Sequence, residues 1–157
     1  MKKIINPFDN YCFGCSPQNI KGLQMEFFYD TNNKEMISRW QANSDFQGYP
    51  NVLHGGIQTT MMDEIAAWSV YIILETAGVT KSLKVDFINP LYLTKGDITL
   101  KARLHSAEKS VATFAVKIFD GEEKLCSEGI VDYFVYPETI ARRKFDYPGL
   151  EAFFEKK

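Results

Sequence analysis

A chain of 157 residues with 45% hydrophobic and 24% charged side chains can bury one substantial core and is short for two. Its net charge of −2 and pI near 5.7, with no basic stripe, exclude the electrostatic footprint of a nucleic-acid binder. Three cysteines argue against a disulfide framework, and the most apolar run, Ile65 to Leu74, is about half of what a bilayer demands.

The N-terminus is broken by Asn6 and Pro7 before any signal-peptide core can form, so a cytoplasmic, soluble protein is expected, with no membrane partner. Residues 1–22 read as an ordered loop segment rich in turn formers with aromatics between them. Within it, Cys12-Phe-Gly-Cys15 has the spacing of half a zinc site or a redox pair. No second cysteine pair follows and both His54 and His105 lie far downstream, which favours a structural turn over metal or redox chemistry. From Leu23 the pattern alternates. Leu23, Met25, Phe27 and Tyr29 share one face, Asn32-Asn33 offers a turn, and Met36, Ser38, Trp40 and Ala42 keep the period of two, predicting a hairpin.

Residues 43–53 form a loop that leads into the most informative stretch, His54 to Gly78. Glycines mark both of its ends and no proline interrupts it, predicting a helix of about six turns with Gly78 as its C-terminal stop. Ile57, Met61, Ile65, Trp68 and Ile72 follow one stripe, and Met62, Ala66, Val70, Ile73 and Leu74 cover the flanks, as expected of a helix enclosed by protein. Asp63 and Glu64 interrupt this apolar surface, and a carboxylate there is costly unless something satisfies it.

Strands are then predicted around Leu83–Phe87, Ile98–Leu104, Ala112–Ile118 and Leu125–Val135, the last entered through Asp120-Gly121, a two-residue hairpin signal. The tail, residues 137–157, contains an Ile-Ala-Arg-Arg-Lys run and a Leu150–Phe154 segment suited to a short helix, and is assigned no chemistry. Two strands, a long buried helix and about four further strands predict one α+β domain over residues 1–157, a curled antiparallel sheet of about six strands around the helix. Helix flanks left uncovered would be hidden best by a second copy of the chain.

Taken together, Cys12 through Leu23, Phe46-Gln-Gly-Tyr-Pro, His54-Gly-Gly, Asp63-Glu64 and Thr80 through Asn89-Pro90 resemble the hotdog-fold acyl-CoA thioesterases of the phenylacetate-degradation type, within the 4-hydroxybenzoyl-CoA thioesterase superfamily. The resemblance covers roughly residues 10–136 and implies a hotdog fold and hydrolysis of an acyl-CoA thioester with neither metal nor organic cofactor. It implies that the Gly55 N–H donates to the thioester carbonyl and that Asp63 is the catalytic carboxylate, as general base or nucleophile. His54 would donate to the carbonyl or orient the loop, and Thr80 would orient a water near the carboxylate, with Thr59 and Thr76 as competitors. Gly56, Gln47, Asn51 and Glu64 fall on the substrate-binding side. Glu64 competes with Asp63 for the role of catalytic carboxylate, but points about 100° away on the helix and is kept as a structural or supporting residue. Some relatives place an Asn or Gln where this chain has Gly48.

Spacing adds an inference independent of resemblance. Gly55 and Asp63 are eight residues apart, about 12 Å along one helix, so a single carbonyl cannot touch both. Catalysis by both requires a homodimer with antiparallel central helices, and a dimer of dimers stays open. A non-catalytic acyl-CoA or lipid-binding module is the second reading, and a hydratase or dehydratase ranks last.

Overall fold

The computed structural model describes residues 1–154, and among them seven strands form one antiparallel sheet in the order β1-β2-β3-β5-β6-β7-β4. The strands are β1 (Lys2–Lys3), β2 (Phe27–Asp30), β3 (Glu35–Trp40), β4 (Gly78–Phe87), β5 (Ile98–Glu108), β6 (Val111–Phe119) and β7 (Leu125–Val135). They curl around helix α1 (Gly55–Ile73), and a shorter helix α2 (Glu138–Lys144) follows the last strand. The architecture is the α+β, hotdog-type arrangement expected, with one strand more than the alternation suggests. That strand is two residues long and lies in the segment read as loop, beyond the reach of a periodicity argument.

The sheet's concave face and α1 supply the core. Met61, Met62, Ile65, Ala66 and Trp68 are essentially buried against Met36, Leu100, Phe114, Val116 and Val131. Each large apolar side chain here contributes roughly 1.5–3 kcal/mol by leaving water. Trp68 stacks on Phe27 at 4.8 Å between ring centroids, tying the helix to β2. On β7, a Cβ at Gly129 would lie 2.7 Å from the Met62 sulfur, so glycine lets the helix settle onto the sheet there.

Several local expectations are corrected. The alternation from Leu23 begins its strand only at Phe27: Leu23 and Met25 donate instead to the carbonyls of Phe13 and Gly14, and Gln24 takes a positive φ of 50°. The helix stops at Leu74, well before Gly78, with Glu75 in the left-handed region at φ 53°. Gly78 opens β4, where a Cβ would lie 2.4 Å from the Phe134 carbonyl oxygen. Close strand approach, not helix termination, requires that glycine.

Asp120-Gly121 begins a five-residue connection between Phe119 and Leu125, not a two-residue turn. The Asp120 carboxylate accepts from the N–H groups of Glu122 and Lys124, and a Cβ on Gly121 would collide with the Lys95 carbonyl. In the tail, Phe153 is buried and its carbonyl accepts from the Ile5 N–H, so both ends of the described chain meet on the body. Residues 155–157 of the predicted tail lie outside the described residues.

Candidate active site

The helix start is fixed by the residue before it. The His54 N–H donates to the Phe46 carbonyl, while its Nδ1 accepts from the Gly56 N–H at 2.9 Å. This side-chain cap leaves the Nε2 position of an exposed ring to carry the proton of neutral imidazole. The Gly55 N–H, next to it at the positive end of α1, has no hydrogen-bond partner among the described residues. A Cβ at Gly55 would lie 3.3 Å from the Phe87 ring, so the start of the helix and the end of β4 adjoin.

Gln47 and Asn51 shape the loop that delivers His54. The Asn51 N–H donates to Gln47 Oε1 at 3.0 Å and Asn51 adopts φ 62°, while Gly48 donates to the Val52 carbonyl and packs beside His54. Both side chains are exposed near the helix start. Gln58, buried in the first turn of α1, donates through Nε2 to the Leu53 carbonyl and accepts from the Ser127 hydroxyl, locking the helix start to β7.

Two turns into α1, the Asp63 carboxylate is held by two hydroxyl donors. Thr80 Oγ1 donates to Asp63 Oδ1 at 2.8 Å, and the Tyr133 hydroxyl lies 2.7 Å from the same oxygen and 3.0 Å from the Asp63 carbonyl. No hydrogen bond engages Oδ2 among the described residues. Burial, and then the Asp63 charge, raise the Tyr133 phenol well above its ordinary value, so it stays a donor. The competing threonines are occupied elsewhere: Thr59 donates to the Gly55 carbonyl and Thr76 to that of Tyr136.

Thr80 reaches Asp63 because β4 is irregular. Its ladder with β7 pairs Thr80 with Tyr133 and Ser82 with Asp132, leaving Lys81 as an extra residue. Thr80 therefore shares the inner face with Tyr133, whereas Ser82 faces out and donates to Asp132 at 2.9 Å. Extending the alternation of Leu83 and Val85 back along a regular strand would have turned Thr80 outward. Tyr133 escaped the sequence reading, although a tyrosine in the apolar phase of Val131, Tyr133 and Val135 signals a buried hydroxyl that needs a partner.

The structure does not bring Glu64 to Asp63. Its carboxylate turns toward the N-terminal loop, accepting from Trp68 Nε1 at 3.1 Å and lying 3.5 Å from Cys12 Sγ. Burial pushes the Glu64 carboxyl up to about 7. The Cys15 thiol, by donating to the Cys12 sulfur, brings the Cys12 thiol down to about 5, and Cys15 is raised correspondingly. Gly14 is required here, since a Cβ would lie 2.5 Å from the Glu64 carboxyl.

Asp63 and the Gly55 N–H are separated along one helix, as their spacing demands. Between them the Gly56, Thr60, Asp63 and Ala67 stripe is only partly covered. Beside it, β4 is the last strand of the sheet, a ten-residue edge carrying the exposed Val79 and Phe87.

Residues 50–127, from the loop before α1 to the start of β7, match the sequence profile of the thioesterase superfamily. A protein of Saccharolobus solfataricus, provisionally named an esterase, is 29% identical over 102 residues, spanning 64% of this chain and 67% of that protein. Among solved structures, a thioesterase of Haemophilus influenzae superposes with a TM-score of 0.68 at 18% identity, covering 78% of this chain and 85% of that one. A Streptococcus mutans protein bound to acetyl-CoA superposes with a TM-score of 0.63 at 16% identity, covering 73% and 90%. At these identities the structural likeness speaks for the fold.

Proposed function

We propose, from the premise that residues 50–127 carry the pattern of the thioesterase superfamily, that this protein hydrolyses acyl-CoA thioesters to a free acid and CoA, acting as a cytoplasmic homodimer. The observation that carries the reading is the Asp63 carboxylate, kept in place by Thr80 and Tyr133 yet free at Oδ2, on the same helix that offers an unpaired N–H at Gly55. The acetyl-CoA bound to the Streptococcus mutans protein supports the choice of thioester.

In this reading Asp63 of one subunit and Gly55 of the other meet across a two-fold axis. Asp63 takes a proton from water as the water oxygen adds to the thioester carbon, or attacks that carbon itself to give an anhydride that water then opens. The carbonyl oxygen becomes anionic and is held by the partner subunit's Gly55 N–H, assisted by the helix dipole. The carbon–sulfur bond then breaks, the carbonyl reforms, and CoA leaves as a thiolate that takes up the proton. Exposed His54 adjoins this position, and Gln47, Asn51 and Gly56 line the approach for substrate. The free β4 edge supports the dimer, because an unpaired ten-residue strand with exposed Val79 and Phe87 offers a surface on which a second copy can pack.

The test is Asp63→Asn, assayed by release of free CoA thiol across a panel of acyl-CoA substrates. Turnover is expected to fall by at least about 100-fold while the dimer stays folded. Wild-type activity in the variant would show that the acid is misassigned. Stoichiometric retention of acyl-CoA without thiol release by the wild type would instead support the non-catalytic binding module.

A further inference from the structure

The N-terminal loop places a second set of reactive side chains on the far side of Glu64, and the thioester chemistry uses none of it. Cys12 Sγ, Cys15 Sγ and a Glu64 carboxylate oxygen all lie within 4.8 Å of one another. Glu64 sits on a mostly apolar helix, and no lysine, arginine or histidine forms an ion pair with it among the described residues. A buried acid without a cation beside it is costly.

We propose that Cys12, Cys15 and Glu64 bind one thiophilic divalent cation of the zinc class, which staples the N-terminal loop to the middle of α1. The distances suit it: with zinc–sulfur and zinc–oxygen bonds of about 2.3 and 2.0 Å, tetrahedral ligands are about 3.5 Å apart. Cys12 Sγ and Glu64 Oε1 are already separated by 3.5 Å. The two-residue spacing of Cys12 and Cys15 is that of a zinc-binding knuckle.

Outer partners are also present. Trp68 Nε1 donates to Glu64 Oε1, fixing the carboxylate's orientation from one helical turn away. Asn6 Nδ2 donates to the Cys15 carbonyl at 3.2 Å and lies 3.8 Å from the Cys15 sulfur. The fourth position opens on a cleft of about 450 Å³ whose walls include Asp9, Asn10 and Asp146, polar enough to hold a coordinating water. A divalent cation at this point would supply the counter-charge that the Glu64 carboxylate otherwise lacks. The site is structural and takes no part in thioester hydrolysis, since Glu64 and Asp63 face different sides of α1.

Reduced protein, stripped by a chelator, should bind Co(II) at one equivalent per chain with a thiolate-to-metal charge-transfer band, and Zn(II) should displace it. Cys12→Ser, Cys15→Ser and Glu64→Gln should each weaken Zn(II) binding by at least about 100-fold, more than loss of an outer partner does. Should a cysteine variant fail to fold, alkylation of the native wild type decides: Zn(II) should protect Cys12 and Cys15 when the labelled residues are mapped by mass spectrometry. No charge-transfer band in the reduced wild type, unchanged alkylation with Zn(II), or full Zn(II) affinity in Glu64→Gln would overturn the site. These readouts are independent of esterase activity.

Discussion

At Gly55 the chain permits an unusually clean test of a backbone donor. Gly55 is the first helical residue after the His54 cap, where proline's missing N–H disrupts no helical bond. Proline also restricts the preceding residue to extended backbone, and His54 already lies at φ −56° and ψ 133°. Gly55→Pro should therefore keep the fold, with the exposed Phe87 ring shifting from the new Cβ that would lie 3.3 Å away, while lowering kcat by about 10²–10³-fold, the loss usual for one oxyanion donor. Circular dichroism melts alongside thiol-release kinetics would check both halves. Tyr133→Phe should lower kcat several-fold and stability by about 1 kcal/mol, because Asp63 loses a hydroxyl donor and gains no replacement. Unchanged kinetics in that variant would make Tyr133 a structural tether only. Asp63 drew notice as a carboxylate in an apolar helix, and its pairing with Thr80 was expected from the family resemblance. Tyr133 was not, because its distance from Asp63 in sequence is bridged only by the sheet's curl.

Among the elements, the helix and the later strands were readable from period alone, while their boundaries were set by tertiary contacts. Gly78 shows why. A glycine after an apolar run suggests a helix end, yet here the Phe134 carbonyl leaves no room for a side chain on β4. Similarly, Asp120-Gly121 suggests a tight turn, but Asp120 spends its carboxylate on two N–H groups of a wider loop and Gly121 makes room for Lys95. The bulge at Lys81 is invisible to any alternation rule, although it decides which way Thr80 points. Deleting Lys81 should make the ladder regular with Thr80 still opposite Tyr133 and Ser82 opposite Asp132, so Thr80 stays on the inner face. The expected outcome is a folded protein that keeps most of its kcat, unlike Thr80→Val measured side by side; a loss as large as that of Thr80→Val would show that the bulge geometry itself, beyond the facing of Thr80, orients the site.

For the molecule as a whole, the curled sheet leaves two things uncovered, the β4 edge and the Gly56–Ala67 stripe, and both lie next to the candidate catalytic groups. The separation of Gly55 and Asp63 already motivates a second copy from the sequence, whereas the surfaces open to the proposed dimer emerged only with the strand order. Because one helix cannot present its amide end and its acid to the same carbonyl, each reaction centre of the proposed dimer is a composite with one contribution per chain. Two dead variants should then rescue one another. Asp63→Asn and Gly55→Pro chains, each inactive alone, should after co-refolding regain about a quarter of wild-type activity, since random pairing makes half the dimers mixed and each mixed dimer holds one unblemished centre of its two. Complementation of that size is a signature that a self-sufficient chain has no means of producing.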